Sequence, residues 1–165
     1  MIESHTHLIA RVRRGALFLA VALLIVLLDQ VTKSAIRLTL APGESLPADA
    51  PIRLTHVINT GAAFGLFTGQ SAFLLLATAV GVGAILLYYA FPPANSRLLD
   101  TALGLQFGGA LGNLIDRVRQ GYVTDFIDLR VWPVFNLADS AIVVGVAVLA
   151  GFLMLSQRAA SHQET

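Results

Sequence analysis

Along the chain, long apolar runs alternate with short polar clusters. Residues 15–28, "GALFLAVALLIVLL", contain no ionisable group, and residues 54–96 contain no Asp, Glu, Lys or Arg. Residues 101–115 and 140–157 are equally free of charge. A membrane-spanning helix needs roughly 20 residues, and four windows fit: about 13–36, 70–91, 98–116 and 138–157. Between the first two windows, Pro42, Gly43, Pro47 and Pro51 break any helix, while "IRLTHVI" alternates like a short strand. The pattern predicts an all-α membrane protein with four transmembrane helices. A small extracytoplasmic, β-containing surface segment at about 37–69 joins helices one and two, and a second extracytoplasmic segment spans about 117–137. The whole chain, 1–165, reads as one integral membrane domain.

Four antiparallel spans bring together the end of the first, the start of the second, the end of the third and the start of the fourth. Those places hold "DQVTK", "NTGAAFG", "GNLIDR" with "VTDFID", and "FNLADS". The unusual polar clusters therefore converge on one membrane face. Arg11, Arg13 and Arg14 precede the first span, which favours a cytoplasmic N-terminus and puts the convergent face outside. The basic, then apolar, N-terminus resembles parts of a signal peptide. No small-x-small site follows, and "DQVTKSAI" continues the helical pattern, so it reads as a retained first span.

Composition confirms the class. Of the residues, 56% are hydrophobic and 13% charged, against about 25% charged in soluble domains. A net charge of +1 without a Lys/Arg-rich run gives no nucleic-acid signal. With no cysteine, disulfides, thiolate metal sites and cysteine nucleophiles are excluded. His5, His7 and His162 lie in the expected tails and His56 stands alone, so neither a metal nor another cofactor is expected.

Carboxylates remain. Asp29 and Lys33, four apart, can pair along the first helix just past its short apolar run. Gly104, Gly108 and Gly112 recur at a spacing that lets a neighbouring helix approach closely. Asn113, Asp116 and Arg117 then share one face of the third helix. Asp139 opens the fourth helix, where free N–H groups stabilise negative charge, so a first-turn cap is its bland reading. Asp125 sits among apolar residues in "YVTDFID", and Asp128 reads as a solvated loop residue. Two neighbouring carboxylates can share a proton, one acting as base on water and the other as acid toward a carbonyl. That is aspartic-peptidase chemistry, and it needs no metal, thiol or histidine. A small transporter relaying protons through Asp29, Lys33, Asp116 and Asp139 is the rival reading, and a non-catalytic scaffold the other. The transporter leaves the inner half of the membrane without a relay.

"DQVTK" (29–33), "NTGAAFG" (59–65), "GNLIDR" (112–117), "VTDF" (123–126) and "FNLADS" (135–140) resemble, in order and spacing, the lipoprotein signal peptidases, signal peptidase II. The resemblance runs from about residue 17 to 155. It implies a four-helix aspartic endopeptidase of the bacterial inner membrane that cuts prolipoproteins before a diacylglyceryl-modified cysteine. It also implies a target of globomycin; a site built from one chain's four helices makes a monomer, in contact with membrane lipids, the default expectation. Carried over, Asp125 and Asp139 match the catalytic pair, and Asn59, Asn113, Arg117 and Asn136 match positions lining the site. Asp29, Lys33 and Asp116 match supporting positions, with Asp116 expected to neutralise and orient Arg117. The family usually has Val where Thr124 stands. Phe64, Leu66 and Phe67 are expected to dip into the outer leaflet and clamp the substrate.

Overall fold

A computed structural model describes residues 2–61, 71–92 and 96–161. Among these residues the chain forms four helices and three strands in the order α1 (Ile2–Thr39), β1 (Ser45–Leu46), β2 (Arg53–Asn59), α2 (Ser71–Ala90), α3 (Arg97–Gln120), β3 (Val123–Asp128) and α4 (Leu137–Ser161). Phe64, Leu66 and Phe67, the expected clamp, lie outside the described residues.

Helix α1 overruns the expected span at both ends. No Gly or Pro precedes Gly15, so the expected N-terminal tail continues the helix back to Ile2. The polar residues after the apolar run do not end the helix either, because Asp29 and Lys33 face inward and pair at 2.9 Å. Segments Gly15–Thr39, Phe73–Ala90 and Leu137–Ser156 are long and apolar enough to cross a membrane. Helix α3 is less apolar, for a packing reason: it lies against all three other helices. Its buried side includes Asp100, Gln106, Asn113 and Asp116 beside Leu99 and Leu103. A helix surrounded by protein does not need the uniformly apolar surface that lipid demands.

The glycines of α3 make that central position possible. A Cβ on Gly104 would lie 2.9 Å from the Phe18 carbonyl oxygen, and one on Gly108 2.7 Å from that of Ala22. On Gly112 it would lie 2.5 Å from Asp29 Oδ2. Helix α1 thus rests directly on the α3 backbone, as the spacing predicts. Phe18, Leu99 and Leu103 form one apolar core, in which Phe18 stacks on Tyr89 at 4.3 Å between ring centroids. Gly121, with φ 79°, closes α3 by donating its N–H to the Arg117 carbonyl.

The sheet is antiparallel, in the order β1-β2-β3. The alternating "IRLTHVI" run supplies β2, as its pattern predicts. The third strand comes from elsewhere: β3 lies between α3 and α4, not between α1 and α2, so the segment before α2 does not make the sheet alone. A second core of Ile36, Leu40 and Phe126 joins the end of α1 to β3.

Candidate active site

Helix α4 begins with a reciprocal cap. The Asp139 backbone N–H donates to Asn136 Oδ1 at 2.9 Å, and the Asn136 N–H donates to Asp139 Oδ2 at 3.2 Å. This capping box satisfies two N–H groups that a helix start would otherwise leave open, and it fixes the Asp139 carboxylate in space. The Ala138 N–H donates instead to Asp29 Oδ1 at 3.1 Å, so α1 helps to cap α4. Asp139 is thus a first-turn acid, yet its other oxygen still accepts from Asn113 Nδ2 at 2.8 Å.

Asp125 comes from β3 and is only 2% exposed. Asn59 Nδ2 donates to its Oδ2 at 2.7 Å and Asn136 Nδ2 to its Oδ1 at 2.6 Å. Asn136 Nδ2 also donates to Asn113 Oδ1 at 3.2 Å. The two carboxylates are therefore joined through two amides, Asp125 to Asn136 to Asn113 to Asp139. Burial raises Asp125 from its ordinary value of 3.8 to about 6, and the charge of Asp139 adds to the rise. The bonds from Asn59 and Asn136, and the charge of Lys33, oppose it.

Behind this pair lies a buried ion cluster. Asp29, Lys33 and Asp116 are all fully buried. Lys33 Nζ reaches Asp29 Oδ2 at 2.9 Å, Asp116 Oδ2 at 3.2 Å and Asn113 Oδ1 at 2.8 Å, one acceptor for each of its three hydrogens. Asp116 Oδ2 accepts the Thr124 N–H at 3.2 Å. Each supporting group thus ends beside an aspartate of the pair. Lys33 acts through Asn113 on Asp139, Asp29 holds the residue before Asp139, and Asp116 holds the residue before Asp125. A buried charge is costly unless paired and hydrogen-bonded, and here each one is.

Both aspartates line a groove of about 600 Å³, together with Asn59, Asn113 and Arg117. Its apolar wall includes Trp132, Val134 and Val143. Two expectations change here. Asp116 does not pair with Arg117; it takes Lys33, Gln30 and the Thr124 N–H, because its side chain turns toward α1. The Arg117 guanidinium makes no hydrogen bond or ion pair among the described residues, and its charge acts on Asp139 and Asp125 more than on Asp116. Nor is Asp128 a solvated loop residue. It is 5% exposed and accepts from Arg53 Nε at 2.6 Å, Thr55 Oγ1 at 2.9 Å and the Arg130 N–H at 2.8 Å. The Arg53 bond holds its carboxyl below the usual range. Asp128 staples the sheet. No group of His, Cys, Asp or Glu among the described residues is arranged to hold a metal.

Sequence reasoning passed over Gln30 and Arg37. Gln30 Nε2 donates to Asp116 Oδ1 at 3.1 Å and to the Gly112 carbonyl at 3.2 Å. Arg37 Nη1 lies 3.8 Å from Asp116 Oδ1. A signal for Arg37 was present, since Asp29, Lys33 and Arg37 recur every fourth residue on one helix face.

Two carboxylates linked through amides, one on β3 and one opening α4, line a groove in a chain whose apolar helices fit a membrane, the arrangement expected of a membrane-embedded aspartic peptidase. Residues 21–155 match the family described as signal peptidase (SPase) II. The chain is 50% identical over 139 residues to a lipoprotein signal peptidase of Moorella thermoacetica, covering 84% of this chain and 93% of that one. It is 43% identical over 149 residues to a lipoprotein signal peptidase of Pelotomaculum thermopropionicum, covering 90% and 97%. A solved bacterial membrane enzyme superposes with a TM-score of 0.79 at 33% identity, over 85% of this chain and 88% of the other. The chain belongs to the lipoprotein signal peptidase (signal peptidase II) family, which cleaves signal peptides from prolipoproteins.

Proposed function

We propose that Asp125 and Asp139 are the catalytic pair of this peptidase, working in one membrane domain with four transmembrane helices. The observation that carries this is the chain of two amides joining both carboxylates at the wall of one groove. In this reading Asp125, raised to about 6 by burial and the charge of Asp139, serves as the acid. The Asp139 carboxylate takes a proton from water, and the resulting hydroxide attacks the scissile carbonyl carbon. Asp125 gives its proton to the carbonyl oxygen, producing a neutral gem-diol. As the C–N bond breaks, the leaving nitrogen takes the proton from Asp139, and Asp125 recovers one from the gem-diol. Arg117, on the same groove, donates to substrate carbonyls.

The substrate in this reading is a diacylglyceryl-modified prolipoprotein cut before its lipid-bearing cysteine, and globomycin occupies the same groove. The apolar residues Trp132, Val134 and Val143 along the groove suit lipid contact. Arg11, Arg13 and Arg14, in α1 just before its apolar span begins at Gly15, support a bacterial inner-membrane protein with its site on the extracytoplasmic face. The monomer suffices, since all these site groups come from one chain. The test is cleavage of lipid-modified prolipoprotein by wild type, Asp125→Asn and Asp139→Asn. Each variant is expected to lose about 10²- to 10⁴-fold in kcat while remaining folded. Equal cleavage by all three would overturn the assignment.

A further inference from the structure

Strand β3 pairs with β2 through a register slip. Leu54 faces Ile127 and Val57 faces Asp125, so Thr55 and His56 together oppose Phe126. Such a bulge interrupts the ladder and re-aims nearby side chains. Asp125 stands beside the interruption, so its placement depends on what else holds β3. On one side of it, the Phe126 and Ile127 N–H groups both donate to the Phe135 carbonyl, at 3.0 and 2.7 Å.

On the other side stands Thr124, fully buried and pointing away from the Asp125 face because strand residues alternate. Two groups hold it. Its N–H donates to Asp116 Oδ2 at 3.2 Å, and its Oγ1 accepts from Arg37 Nη1 at 3.0 Å. Arg37 is itself braced. Its Nη2 donates to Ser34 Oγ at 3.0 Å, and its Nη1 lies 3.8 Å from Asp116 Oδ1. Groups from α1 and α3 therefore close on the residue before Asp125, from its backbone and from its hydroxyl. Valine would fill the same volume but accept nothing, so the hydroxyl is what lets Arg37 grip the strand.

We propose that Arg37 is a positioning residue for Asp125, acting through the Thr124 hydroxyl. It rests on Asp125 being catalytic. Arg37 touches neither substrate nor the carboxylate pair; it limits how far Asp125 can drift from the line to Asn136 and Asn59. The consequence belongs to turnover, because substrate binds along a groove that neither Arg37 nor Thr124 lines.

Kinetics on lipid-modified prolipoprotein test this with wild type, Thr124→Val, Thr124→Ser, Arg37→Leu, the Arg37→Leu/Thr124→Val double variant, and Asp125→Asn as control. Thr124→Val is expected to lower kcat by about 3- to 10-fold, the scale of one lost hydrogen bond, with KM within about twofold. Thr124→Ser restores kcat because it keeps the acceptor. The double variant is no slower than Arg37→Leu, since both changes remove one contact. Wild-type kcat in Thr124→Val, failure of serine to rescue, or losses that multiply would each overturn the proposal. If Arg37→Leu does not fold, the valine and serine pair decides alone. Wild-type cleavage with an equally active Asp125→Asn would instead show that the catalytic assignment has failed, and this inference with it.

Discussion

At the residue scale, the pair is defined by unequal surroundings. Asp125 is buried and lies within the field of Asp139, which raises it to about 6. Below that pH it is protonated and able to donate; above it, the donor is lost. The alkaline limb of kcat/KM, which reports the free enzyme, is therefore expected near pH 6, as a property of the coupled pair. Asn59 donates to the ionised form, so Asn59→Ala removes a lowering influence and moves that limb upward; a downward shift would contradict the assignment. Stability follows the same sign. Between 3.8 and about 6 the native state binds more protons at Asp125 than the unfolded chain does, so its contribution falls as pH rises through that window. Denaturant unfolding of wild type and Asp125→Ala across pH 4 to 7 measures it. The chemistry of these residues was readable from their types, and their partners were not. Asp116 and Arg117 are chain neighbours but turn apart, because successive helix positions point about 100° from each other.

At the element scale, α3 acts as the post on which the site is built. Its glycines let α1 approach so closely that Asp29 reaches the first turn of α4. Gly112→Ala would put a methyl within 2.5 Å of Asp29 Oδ2, an atom already committed to Lys33 and Gln30. It is expected to cost about 1–3 kcal/mol of stability, the usual scale of overpacking. Cleavage should fall with it, because Asp29 and Lys33 both act on the Asp139 side. Gly151→Ala meets nothing within 4 Å and should leave the unfolding midpoint unchanged or slightly higher. A similar loss in both variants would show that the contact with Asp29 is not what requires glycine at 112, since alanine is the better helix former at either site. The glycine spacing and the alternation of β2 were legible because they are local patterns. Strand β3 was not, since its partner β2 lies more than sixty residues earlier and its two acids read as chemistry before they read as strand.

At the scale of the whole molecule, the polar ends of α1 and α3 and the polar start of α4 meet at one site, and the apolar flanks remain for lipid. The chain has no cysteine, so an introduced one is a clean probe of orientation. Glu44→Cys, on the exposed turn beside β1, is expected to react with a membrane-impermeant thiol reagent added outside intact cells. Labelling only after the inner membrane is opened would place the face inside. The sequence by itself determined the membrane class, the alternation of apolar runs with polar clusters, and the family, because hydropathy and motif order are properties of the chain read in one dimension. Only the tertiary structure decided that β3 completes the sheet, that Asp128 staples it, and that Asp116 serves Lys33 and Thr124 instead of Arg117. It also decided that Asp125 and Asp139 are joined through Asn136 and Asn113. Burial and hydrogen-bond partnership depend on which distant segments meet, and that is settled only when the helices and strands have packed.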